Sequence, residues 1–173
     1  MALKATIFKV ELQVSDLDRH HFATYPLTLA RHPSETDERM MVRVLAFALD
    51  ADEALDFGRG LSSEKEPDLV HRDLTGAIQL WVEIGLPDER DLRKAAGRAT
   101  RVKVYTYGRG ASLWARDNAE ALSRLDNVQV VHVEQSAELG RWAARNMSMT
   151  CTIQEGQVYL SCGGESMTLK VPG

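Results

Sequence analysis

Apolar and polar residues alternate from position 3 to position 14, where Leu3, Ala5 and Ile7 are set against Lys4 and Thr6. A period of two predicts a strand. A turn is expected at Ser15-Asp16, and residues 22–30 supply a returning strand. Pro26 interrupts that strand and assigns it to a sheet edge, since proline brings no N–H to a ladder. The period then changes. Met40, Met41, Val44, Leu45 and Ala48 recur at helical spacing behind Ser34, a good N-cap with Asp37 three residues on. A helix over residues 35–49 follows.

The rest of the chain alternates between the two periods. Residues 55–59 suit a short strand and 61–66 a polar loop. Residues 69–74 and 77–84 suit two strands broken at Thr75-Gly76. Pro87-Asp88 opens a second helix with Leu92, Ala95, Ala96 and Ala99 on a narrow apolar face. A strand over 102–107, a helix over 112–125, a strand over 128–134 and a helix over 136–146 come next. The end is a meander of strands at 147–153, 158–161 and 167–171, with turns at Glu155-Gly156 and Gly163-Gly164. There is no internal repeat or linker, so one domain over 1–173 is expected. The order implies an α/β (mixed α+β) fold: a mixed central sheet flanked by helices on both sides, with N- and C-terminal antiparallel hairpins as a further layer.

The hairpin over 68–84 brings two carboxylates into register. If it is symmetric about Thr75-Gly76, partner numbers sum to 151, and Asp68 faces Glu83. Their Cβ atoms would then stand roughly 5 Å apart, and like charges at that distance call for a proton or a cation between them. Thr-Gly is a poor two-residue loop, because a β-branched residue resists positive φ. A four-residue loop over 74–77 keeps the register. A three-residue loop with a glycine bulge shifts it by one and sends the two carboxylates to opposite faces.

Composition narrows the classes. With 44% apolar residues in 173, the chain can bury a sizeable core, and no apolar run approaches a membrane span. The absence of a signal-peptide pattern, with only Cys151 and Cys162 and no metal-ligand spacing between them, predicts reduced thiols in a cytoplasmic protein; a monomer is expected. The net charge of −4 argues against a dedicated nucleic-acid coat. Its distribution is uneven: Arg90, Arg93, Lys94, Arg98, Arg101, Lys103 and Arg109 are accompanied from 90 to 109 by one acid, Asp91. Asp50, Asp52, Glu53, Asp56, Glu64, Glu66 and Asp68 make the stretch before it acidic. A basic stripe suits a polyanion such as nucleic acid, and equally an ordinary solvated helix face.

The element order, with Pro67-Asp68 and Glu83 on consecutive strands, resembles the PD-(D/E)XK nuclease superfamily, a restriction-endonuclease-like fold. The segments Ala2-Leu3-Lys4-Ala5-Thr6, Leu29-Ala30-Arg31-His32-Pro33-Ser34-Glu35-Thr36, Trp81-Val82-Glu83-Ile84-Gly85-Leu86-Pro87-Asp88-Glu89-Arg90 and Val104-Tyr105-Thr106-Tyr107 carry a narrower resemblance, to the YaeQ family. It implies Asp68 and Glu83 as catalytic and metal-binding carboxylates for Mg²⁺, with Mn²⁺ as a substitute. The lysine of the superfamily motif is absent, because its position is Gly85. Some superfamily members supply that lysine from the following helix, which makes Lys94 the catalytic candidate. The apolar stripe of that helix, however, leaves Lys94 about 150° away, towards solvent, with Arg93 and Lys103 as alternatives. Similar nucleases sometimes add a first-helix glutamate to the metal site. Glu38 fits at about 60° from the apolar centre, and Glu35 fits less well at about 120°.

Two functions follow. One is Mg²⁺-dependent phosphodiester hydrolysis of nucleic acid by Asp68, Glu83 and Lys94, with Glu38 as a further metal ligand. The other is a catalytically inactive nuclease-fold protein that binds nucleic acid or a protein partner, favoured by Gly85 and an outward Lys94. His32 could ligate a metal or cap a turn, and Gly108-Arg109-Gly110 suits a turn rather than a dinucleotide loop. The tryptophans and tyrosines suit the core or a site wall.

Overall fold

The computed structural model describes residues 4–58 and 66–170. Its elements run β1 (Thr6–Asp16), β2 (His21–Arg31), α1 (Asp37–Leu49), β3 (Leu55–Phe57), β4 (Leu69–Arg72), β5 (Ile78–Ile84), α2 (Glu89–Arg98) and β6 (Ala99–Thr106). They continue with α3 (Ala111–Asp117), α4 (Ala119–Ser123), β7 (Val128–His132), α5 (Ser136–Gly140), β8 (Asn146–Gln154), β9 (Gln157–Cys162) and β10 (Glu165–Lys170). The loop expected at 61–66 and the strand ends at 3, 59 and 171 fall wholly or partly outside the described residues. The chain forms two compact units, residues 1–51 with 137–173 and residues 52–136.

The first unit is built on a five-stranded sheet in the order β10-β9-β8-β1-β2. β1 and β2 pair antiparallel along their full length, and β2 ends the sheet, which is where Pro26 is tolerated. The terminal hairpins expected as a separate antiparallel layer are joined instead into one mixed sheet, because β1 pairs parallel with β8. Alternation puts Val10, Leu12, Val14, Leu29, Met149, Cys151 and Leu160 on a buried face. Helix α1 is buried from Met40 to Leu49. Its cap is Thr36, whose Oγ1 accepts the Arg39 N–H at 3.1 Å, whereas Ser34 is taken by His32 Nδ1 at 2.7 Å. α5 stops at Gly140, where a Cβ would lie 2.9 Å from the Glu38 Cα; only glycine permits that approach to α1.

The second unit holds the order β3-β4-β5-β6-β7, antiparallel from β3 to β5 and parallel from β5 to β7. Trp81, Val102 and Val104 on one face pack with Leu92 and Ala95 of α2 and Trp114 of α3. The single helix expected over 112–125 is two short helices. The Asn118 side chain donates to the Trp114 carbonyl at 2.9 Å, competing for a helical acceptor at the break.

Candidate functional site

The hairpin β4–β5 decides where the two carboxylates go. Asp73 closes its turn: one carboxylate oxygen accepts the N–H groups of Thr75 and Ala77 and the Thr75 hydroxyl, and the other accepts Gln79 Nε2. That makes a three-residue loop over 74–76, with Arg72 opposite Ile78, a sum of 150. A bulge between His71 and Arg72 then restores the sum of 151, so that His71 faces Leu80, Val70 faces Trp81 and Leu69 faces Val82. The expected shift occurs at the turn and is cancelled one residue later. Beyond Leu69 the register changes again: the Asp68 N–H donates to the Val82 carbonyl at 2.8 Å, so Asp68 shares Val82 with Leu69 rather than standing squarely opposite Glu83.

Each carboxylate is engaged by its own hairpin. Asp68 is half-buried, and its Oδ2 accepts the Ile84 N–H at 2.8 Å, standing in for a backbone carbonyl where the ladder ends. Glu83 is buried, and its Oε1 accepts the Trp81 indole N–H at 2.8 Å from two residues back on the same face. Trp81, expected in the core or in a site wall, is buried in the core and also fixes Glu83. Two adjacent carboxylates are a donor set that Mg²⁺ accepts when water completes its shell. Among the described residues, however, no group of three or more His, Cys, Asp or Glu side chains is arranged to hold a metal.

The remaining candidates sit on other elements. Gly85 adopts φ +116° and donates its N–H to the Tyr105 carbonyl at 2.9 Å. Lys94 is exposed on α2, opposite the buried Leu92 and Ala95. Glu38 is half-buried on α1, in the other unit. The buried glutamate there is Glu35, which receives Arg39 at 2.6 Å and Arg43 at 2.5 Å. The helical projection disfavoured Glu35, but Glu35 precedes the Thr36 cap, so helical periodicity does not govern it. His32 caps a turn, accepting the Ser34 N–H at 3.1 Å.

The basic stripe is real as a surface. Arg90, Arg93, Lys94 and Arg98 are all exposed and share the outer face of α2, and none has a carboxylate partner among the described residues. Arg98 holds its guanidinium 5.9 Å from the Trp81 ring centroid. From there it borders a groove of about 430 Å³ at β3–β5 that also takes in Asp56, Glu66 and Arg72. Sequence reasoning passed over this groove, because its walls come from separate elements. The thiols take no part: Cys151 and Cys162 are free, and burial pushes the Cys151 pKa up to about 12, with Asp16 adding to the rise and Arg19 opposing it. No helix among the described residues is long and apolar enough to cross a membrane.

Comparison with known proteins extends over the same chain. The family model described as YaeQ protein matches residues 1–171. Uncharacterized protein YaeQ of Salmonella typhi is 44% identical over 99% of this chain and 96% of its own. Its Escherichia coli (strain K12) counterpart is 46% identical over 93% and 91%. The crystal structure of YaeQ protein from Xanthomonas axonopodis pv. citri superposes with a TM-score of 0.92 at 45% identity, covering 96% of each chain. That from Pseudomonas syringae superposes at 0.91 with 35% identity, covering 96% of this chain and 94% of its own. By sequence and by fold along nearly its whole length, the chain belongs to the YaeQ family.

Proposed function

We propose that this protein binds nucleic acid without cleaving it, a non-catalytic relative of the PD-(D/E)XK nucleases. The observation that carries this reading is the outer face of α2, where Arg90, Arg93, Lys94 and Arg98 stand exposed with no carboxylate partner among the described residues. Their Cα atoms span about 12 Å along the helix at 1.5 Å per residue, comparable to two phosphate steps of a strand. A labelled oligonucleotide should bind at low salt and weaken steeply as salt rises, since each neutralised phosphate releases counterions. Replacing Arg90 and Lys94 with alanine should flatten that salt dependence by about two contacts. A wild-type protein with no affinity at low salt would end this reading.

The bond from the Ile84 N–H to the Asp68 carboxylate, which brings Asp68 next to the residue that follows Glu83, favours hydrolysis as a second reading. A divalent cation held between Asp68 and Glu83 would lower the pKa of bound water. What speaks against turnover is that Gly85 holds the motif position and that Lys94 faces solvent. A nuclease assay in Mg²⁺ and in Mn²⁺ separates the two readings. Cleavage that disappears in Glu83→Gln would establish hydrolysis, and its absence under all conditions leaves binding alone.

A further inference from the structure

We propose that the groove at β3–β5 beside the C-terminal end of α2 is a nucleotide pocket that prefers guanine. Its floor is apolar: Phe57, Val70 and Ile78 are half-buried, and Trp81 seals the bottom at 3% exposed. Its volume of about 430 Å³ falls within the range of small-molecule sites. Four charges line it, Asp56 and Glu66 against Arg72 and Arg98, and none of them forms an ion pair among the described residues. Charges of both signs that share one groove without pairing suit an occupant that offers an anion to one side and hydrogen-bond donors to the other.

The two sides differ in what they can take. Ionised carboxylates only accept hydrogen bonds, so Asp56 and Glu66 require a ligand edge rich in N–H groups. Guanine presents N1–H and its amino group side by side, a two-point match for one carboxylate, whereas uracil presents a single N–H. The guanidinium groups suit phosphate. Arg98 is held over the Trp81 ring, and Arg72 spends one N–H on the Gly76 carbonyl at 3.2 Å. Arg98 also ends the basic row of α2, so a strand lying along that row would deliver a splayed-out nucleotide to the groove. The pocket therefore rests on the nucleic-acid reading and assigns it a base preference.

Calorimetric titration with guanosine monophosphate, uridine monophosphate, guanosine and inorganic phosphate tests the assignment. Guanosine monophosphate should bind about tenfold tighter than uridine monophosphate, the discrimination one good bidentate contact supplies. The double variant Asp56→Asn, Glu66→Gln should erase that preference at an unchanged melting temperature. Arg98→Ala should erase the advantage of the nucleotide over guanosine. Equal affinity for the two nucleotides, binding no tighter than that of inorganic phosphate, or no binding would overturn the pocket. Oligonucleotide binding without a base preference would reject the pocket and leave the α2 surface standing. Nucleotide binding without oligonucleotide binding would do the reverse.

Discussion

Gly85 adopts φ +116° with open space where a Cβ would stand. A lysine there would meet nothing at its Cβ, yet would hold its backbone where L-residues rarely go, at a cost on the order of 1–3 kcal/mol. Gly85→Lys is therefore expected to lower the urea midpoint and to leave a phosphodiesterase assay at background. Cys151 allows a prediction with a defined pH window. Its pKa is raised by burial from 9.0 to about 12, so folding favours the protonated thiol. Its contribution to stability is complete below pH 9 and is lost as the pH climbs towards 12. Melting temperatures measured from pH 8 upward should decline less steeply in Cys151→Ala. A thiol probe at pH 8 should label the half-buried Cys162 well before Cys151.

Element by element, local chemistry explains both what the sequence disclosed and what it hid. The apolar stripe of α2 was legible, and its energetics should follow. Leu92 is fully buried, so Leu92→Ala is expected to cost about 2–5 kcal/mol, against less than about 0.5 kcal/mol for the exposed Lys94→Ala, measured by denaturant titration. The split between α3 and α4 was hidden, because an asparagine inside an apolar helical pattern gives no warning that it will take the Trp114 carbonyl. The register of residues 69–71 was legible as the symmetric sum of 151, but the loop and the bulge were not, since each shifts it by one and a symmetric reading sees only their sum. Asp73 holds that turn, and its pKa lies below the usual 3.8, first through the Thr75 hydroxyl and further through the N–H groups of Thr75 and Ala77 and the Gln79 side chain. A lowered folded pKa stabilises above 3.8 and loses that effect as the pH falls through the folded value. Asp73→Asn should accordingly flatten the acid limb of a melting-temperature profile below pH 4.

For the molecule as a whole, periodicity located most elements and was silent on which strands would pair across the chain. Antiparallel neighbours such as β1 with β2 announce themselves by a turn. The parallel partnership of β1 with β8 joins Asp16 to Ile153, and nothing local in either segment specifies the other. The adjoining turns are tied the same way: the Asp18 carboxylate accepts the N–H groups of Glu155 at 2.7 Å and Gly156 at 3.0 Å. This connectivity imposes an order of assembly. The stretch 52–136 is continuous and can collapse as soon as it is synthesised, whereas the β1–β2 hairpin on one side of it must wait for β8 on the other. Until then β1 offers an unpaired edge to any extended chain nearby. Such a long closure slows folding through lost chain entropy rather than through weak contacts. Chains interrupted before β8 should therefore aggregate through β1, while a circular permutant that places β8–β10 ahead of β1 should refold faster than the natural order with the same contacts.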